Sequence, residues 1–254
     1  MRAHTEGNSD AGVAVGRAAA TVSGPAGAAA LRTRGVRVRF GAGATLALPD
    51  IELEAGGRVL LAGPSGSGKS TLLHVSAGLI DPAQGVVEVD GVDIHRLRGA
   101  ARDTFRGARI GMIFQTFQLL DGLSALENVL LALMFSPVPP REHDGRARAL
   151  LDELGIARHG ARPGQLSVGQ QQRVAVARAL ACRPRLVLAD EPTAALDPAR
   201  AAAAMDLILG ACHRHGAALL CTSHDPAMAH RFERRLDLPD LGEPERGERG
   251  RGGA

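Results

Sequence analysis

Gly63-Pro64-Ser65-Gly66-Ser67-Gly68-Lys69-Ser70-Thr71 lies between the apolar strand-like run Arg58 to Ala62 and Ser70 to Leu79, which has helical character. Strand, glycine-rich turn and helix in that order, with the spacing G-x-x-x-x-G-K-[ST], describe a phosphate-binding loop. The glycines let backbone N–H groups wrap an anion against the positive N-terminus of the next helix. Lys69 is expected to bridge the β- and γ-phosphates of a nucleotide and Ser70 to hold Mg²⁺. The plainer alternative is a glycine-rich turn before a helix, which the flanking strand and helix make less apt. Lys and Arg total 30 in the chain, and Lys69 is the single lysine. A guanidinium fork does not replace a compact ammonium at a point-charge phosphate site.

Downstream, Leu186-Val187-Leu188-Ala189-Asp190-Glu191 is an apolar strand that delivers two adjacent carboxylates. Asp190 suits a Mg²⁺ shell and Glu191 a base that positions water. A helix-capping acid pair is the competing reading, and the phosphate loop upstream tips the balance toward a Mg-dependent nucleoside triphosphatase. Residues 35 to 61 alternate apolar and polar side chains and predict short antiparallel strands, and Gly85 to Val89 predicts another. The arginines at 96, 98, 102, 106 and 109 read as a solvated helix face. Ser124-x-x-Glu127 opens an apolar helix to Phe135, closed by Pro137, Pro139 and Pro140, and a second helix is expected from Gly145 to Leu154. An α/β alternation follows, with helix 170–181, strand 186–189, helix 199–209 and strand 217–222. Asp197-Pro198 and Asp225-Pro226 each place a capping acid before a proline. A parallel sheet with ligand loops at its carboxyl edge is the expected core.

The 254 residues suit one large domain, and apolar runs such as Val129 to Phe135 fall short of the roughly 20 residues that span a bilayer. Met1 to Ala30 and residues 241–254 read as disordered tails. Cys182, Cys212 and Cys221 follow neither a metal-ligand nor a disulfide-framework spacing and are expected to be reduced, which favours the cytoplasm. A formal charge of +3, with scattered arginines, does not select a partner.

Leu166-Ser167-Val168-Gly169-Gln170-Gln171-Gln172-Arg173, placed before the Asp190-Glu191 strand, resembles the signature sequence of ABC ATPases. It reads equally as a capping box of Ser167 with Gln170, and the two readings are compatible. The resemblance covers about 31 to 238. It implies an α/β fold: a P-loop NTPase core with a mostly parallel sheet, an antiparallel β subdomain and an inserted helical subdomain at about 116–175, all within 31–240. It also implies ATP and Mg²⁺ as ligands, with Gln115 in the Q-loop as a catalytic and metal-shell group and His224 as the switch histidine beside Glu191. Asp197 matches the D-loop, and Ser167, Gly169 and Gln170 would reach the nucleotide bound by a second copy. Phe40 falls where the family stacks an aromatic ring on adenine, or is ordinary strand core. Two departures are Val168, where the signature has glycine, and Ala194, where the D-loop often begins with a small polar residue.

Phe117 to Leu120, Leu123 to Val129 and Leu188 to Thr193 look like the subfamily of lipoprotein release, macrolide export and cell division, with similar wording in some solute importers. The implied partners are integral membrane permease subunits and a second copy in an ATP-sandwich homodimer, with no nucleic acid. The implied location is cytoplasmic, peripheral on the inner face of the cell membrane. A chromosome-maintenance ATPase would carry a long coiled coil or zinc segment between phosphate loop and signature, and no heptads or cysteine pair occur there. The helical subdomain would offer a groove to the membrane partner, and the stripe Leu119, Leu123, Leu126 and Leu130 is either part of that surface or plain core.

Overall fold

The computed structural model describes residues 27–40 and 44–239. The tails expected over most of Met1 to Ala30 and over 241–254, and the glycine-rich break at 41–43, lie outside the described residues. In chain order the elements begin with β1 (Leu31–Phe40), β2 (Ala44–Ala47), β3 (Ile51–Leu53) and β4 (Arg58–Ala62). Next come α1 (Lys69–Ser76), β5 (Gln84–Val89), β6 (Val92–Asp93), α2 (Ala100–Arg109) and β7 (Ile110–Ile113). Three helices follow, α3 (Ala125–Leu133), α4 (Pro140–Glu153) and α5 (Val168–Leu180). The chain then returns to the sheet through β8 (Leu186–Ala189), α6 (Pro198–Arg214), β9 (Ala218–Thr222) and β10 (Arg234–Asp237).

The strands form two sheets. One is antiparallel, in the order β2-β1-β5-β6 with β3 also on β1. The other is wholly parallel, in the order β10-β4-β9-β8-β7, so its five carboxyl ends open on one edge. Alternate residues of the parallel strands feed two cores, as a strand buried on both faces requires. Val187, Ala189, Leu219 and Cys221 pack toward α3, α4, α5 and α6. Leu186, Leu188, Ala218 and Leu220 pack toward α1 and the antiparallel sheet. The helical segment between β7 and β8 shares the first of these cores, and α3 packs on both α4 and α5. The contact of β7 with α5 needs glycine: a Cβ on Gly111 would stand 2.2 Å from the carbonyl oxygen of Ala179.

Several elements differ from what the sequence led us to expect. The α2 arginines are not a solvated face. Arg102 donates to Leu97 O at 3.0 Å and to Asp81 at 2.7 Å, and Arg106 turns to Gly78 O and Asp103. Pro140 does not close a helix but opens α4 at its first position, where the missing N–H costs nothing. Asp225-Pro226 starts only a 3-10 segment, Pro226–Arg231. Strands β7 and β10 were not foreseen, being short and, in β10, mostly charged: Arg234-Arg235-Leu236-Asp237 is held by its pairing to β4. Ala29 and Ala30 are buried, and Ala30 O accepts from the Asp90 N–H.

None of the three cysteines is in a disulfide. Burial pushes the Cys212 thiol up to about 12 and raises those of Cys221 and Cys182. In the native protein at neutral pH, iodoacetamide should therefore modify the half-buried Cys182 slowly and spare Cys212 and Cys221, all three reacting after denaturation. Peptide mass spectrometry reads the result, and rapid native labelling of Cys221 would contradict the packing of β9.

Candidate active site

The carboxyl edge of the parallel sheet gathers the site. β4 runs into the loop 63–68 and then α1, whose N-cap Gly68 has φ 89° and makes no side-chain capping bond. A side chain at 68 would also collide with Leu46, since its Cβ would stand 2.9 Å from Cδ2 of that residue. β2 therefore rests against the loop, and the first N–H groups of α1 are without a side-chain cap, as an anion site requires. Lys69 is buried and its ammonium donates to Gly63 O at 2.8 Å and Pro64 O at 2.7 Å. An ammonium has three protons, so one remains for an anion in the loop. Pro64, Ser65 and Gly66 form the exposed crest, Ser67 is buried beneath it, and Thr71 is half-buried on the first turn of α1.

Two strands away, β8 ends in Asp190 and Glu191. Asp190 Oδ1 accepts from Ser70 Oγ at 3.1 Å and from Thr222 Oγ1, at the end of β9, at 2.8 Å. The same Thr222 hydroxyl accepts the Glu191 N–H at 2.8 Å. Glu191 has φ 41°, a left-handed conformation that non-glycine residues hold only when their surroundings enforce it. His224 Nδ1–H donates to Glu191 Oε2 at 2.9 Å, which leaves Nε2 as the free ring nitrogen. Hydroxyl and carboxylate oxygens, all hard donors, are the ligand set that suits Mg²⁺, so Ser70 and Asp190 fit such an ion.

Lys69, Ser70, Asp190, Glu191 and His224 thus converge, while the other expected site residues stand around them. Gln115 is exposed in the turn just beyond β7. Phe40 ends β1 and is 46% exposed. Ser167 is the N-cap of α5, and its hydrogen bonds close on Gln170 in a capping box beside Gly169. Asp197 caps α6 by accepting from the Arg200 N–H.

Thr222 and Gln172 escaped the sequence reading. Thr222 is the alcohol that ends an otherwise apolar buried strand, Ala218–Thr222, and that placement was the available signal. Gln172 donates from α5 to Pro192 O at 2.8 Å, next to Glu191.

A profile of the ABC transporter family matches residues 48–194. The lipoprotein-releasing system ATP-binding protein LolD 2 of Caulobacter vibrioides is 44% identical over 193 residues, 75% of this chain and 84% of that protein. The macrolide export ATP-binding/permease protein MacB 1 of Aeromonas hydrophila subsp. hydrophila is 41% identical over 215 residues, which span 83% of this chain and 33% of that longer one. Among solved structures, the ATP-binding cassette MJ0796, described as a dimeric post-hydrolysis state bound to ADP and Pi, superposes with a TM-score of 0.70 at 36% identity. The match covers 82% of this chain and 94% of that one.

Thr222→Val keeps the shape of the side chain but removes both hydrogen bonds of the hydroxyl. It should destabilise the protein by about 1–3 kcal/mol and lower nucleotide turnover by roughly ten- to hundredfold. Melting curves and steady-state phosphate release measure the two effects.

Proposed function

The chain belongs to the ABC transporter family as an ATP-hydrolysing subunit, and we propose that it drives an export-type transporter of the lipoprotein-release or macrolide-export kind through separate membrane permease subunits. The observation that carries this reading is the convergence of Lys69, Ser70, Asp190, Glu191 and His224 at one sheet edge, with Glu191 already bound to His224. Loop 63–68 and the start of α1 hold the triphosphate, with Lys69 supplying its remaining proton to a phosphate oxygen. Mg²⁺, held by Ser70 and Asp190 with Gln115 in its shell, would neutralise charge on the phosphates. Glu191 orients the attacking water and takes its proton, and the His224 hydrogen bond fixes the rotamer of Glu191 for that task. Phe40 stacks on the adenine from the antiparallel sheet.

The hydrogen bonds of Ser167 close on Gln170 within α5, and in keeping with the family's pattern Ser167, Gly169 and Gln170 serve the nucleotide of a second copy, with Asp197 at the seam. Two copies close around two ATP molecules and reopen after hydrolysis. Val168 occupies the first position of α5, outside the left-handed region, with its side chain 44% exposed beside Ser167. In the closed pair that side chain takes space a glycine would leave to the phosphate.

Among the described residues no helix is long and apolar enough to cross a membrane. We place the chain at the inner membrane face through its partner. Phe114, Phe135, Met112 and Ala132 line a groove of about 470 Å³ between α2, β7, α3 and α5. Leu119, Leu126 and Leu130 lean on the core, and the exposed apolar residues near the groove are Met134 and Phe135. A short amphipathic helix of the permease suits such a surface.

Glu191→Gln should dimerise on addition of ATP and Mg²⁺ in light scattering, whereas Lys69→Ala should not bind ATP at all. A Glu191→Gln protein that stays monomeric at saturating ATP would count against the sandwich. Adding Val168→Gly to Glu191→Gln should lower the ATP concentration needed for dimerisation, and an unchanged midpoint would show that Val168 is tolerated without cost.

A further inference from the structure

We propose that Arg178 is a positioning residue for hydrolysis, holding the turn that follows Gln115 in register with the helix that carries Ser167. Its Nη1 donates to Gln118 O and its Nη2 to Phe117 O, both at 2.6 Å. Phe117 and Gln118 are consecutive and left-handed, with φ 59° and 47°. Side-chain-bearing residues hold that conformation only under constraint. The two prongs of one planar guanidinium fix two successive carbonyls, so neither peptide plane can rotate without breaking a charge-assisted bond. Gln115 is the residue that enters this turn, whose other bonds are Phe117 N to Phe114 O at 3.0 Å and Gln118 N to Thr116 O at 2.6 Å.

A merely packing role does not explain an arginine at this position. Burial pushes the guanidinium pKa down, and among the described residues no carboxylate stands within ion-pairing distance of it. An aliphatic side chain would fill the same space without the desolvation penalty. What the arginine alone supplies is the forked hold on the turn.

The other end of the link is equally defined. Arg178 adjoins Ala179, whose carbonyl is in the glycine-dependent contact with Gly111 of β7, so α5 cannot slide along that strand. Further up the same helix, Gln172 holds Pro192 O beside Glu191, and Ser167 caps the N-terminus. One rigid helix of 13 residues therefore touches the Gln115 turn, the Glu191 segment and the signature. Arg178 also lines the groove with Phe114 and Phe135, so a body seated there meets the same joint.

The inference rests on the reading of Gln115 as a hydrolytic group, and the test separates the two. Steady-state ATPase kinetics and calorimetric ATP affinity are measured for Arg178→Met, Arg178→Lys, Gln115→Ala and the double variant Arg178→Met with Gln115→Ala. Arg178→Met should lose roughly tenfold or more in kcat with unchanged ATP affinity and a cooperative melt, and Arg178→Lys should recover part of it. The double variant should be no slower than Gln115→Ala alone. Losses that multiply in the double variant, or a normal kcat in Arg178→Met beside an impaired Gln115→Ala, overturn the role of Arg178 only. A normal kcat in Gln115→Ala overturns the reading of Gln115 and the link through it together. If Arg178→Met does not fold, Arg178→Lys decides: lowered kcat with unchanged ATP affinity supports the role, and wild-type kcat overturns it.

Discussion

Register across β4, β9 and β8 is the constraint on which the nucleotide edge depends. Leu61 lies opposite Thr222, and Cys221 lies opposite Ala189, so the three strands release their loops at one level. The Thr222 hydroxyl then reaches Asp190 Oδ1 and the Glu191 N–H, while Ser70, one residue into α1, meets the same carboxylate oxygen. A slip of one residue would turn every side chain of a strand to the other face. Two different cores make that slip costly, because the strands bury apolar side chains on both sides. Packing away from this edge thus sets distances of a few ångströms between its side chains.

The same logic extends to the segment between β7 and β8. Its helices share a core with the parallel sheet, yet polar bonds fix how it addresses the site. Gln172 reaches Pro192, Asn128 is buried with its amide on Leu120, Leu123 and Ser124 carbonyls, and Ser124 with Glu127 closes the start of α3. Apolar packing tolerates small shifts, whereas a buried amide satisfied at three carbonyls does not. The chain leaving Gln115 is therefore defined up to α3 even though much of it has no regular secondary structure.

Much of the site was legible in the sequence because its chemistry is local. The phosphate loop is contiguous, Asp190 and Glu191 are adjacent, and the capping boxes at Ser124 and Ser167 close over four residues. The antiparallel strands showed as alternation, and β8 and β9 as short apolar runs. What stayed hidden depends on partners distant along the chain. Thr222 acquires its role from Asp190 and Glu191, and the arginines of α2 from Gly78 and Asp81. Pro140 looked like a terminator because proline is found both after the end of a helix and at its first position, and only the packing of α4 decides between the two.

Four of the arginines show a structural sense in where their guanidinium groups end. Arg173 donates to Leu154 O at the C-cap of α4, Arg146 to Ala181 O at the C-cap of α5, and Arg102 and Arg106 to Gly78 O just past α1. Each of these carbonyls lies at or just past the negative end of a helix, where the last four acceptors lack an intrahelical donor. A planar fork on a long stem can cap such an end while its methylenes cover apolar surface, so arginine serves there better than lysine. The phosphate loop reverses the requirement. Lys69 springs from the first turn of α1 and folds back on Gly63 and Pro64 oxygens within the loop itself, where a compact ammonium reaches both carbonyls and keeps its third proton. Where these four arginines cap helix ends, the phosphate loop keeps a lysine, whose compact, three-pronged charge is the shape that fits.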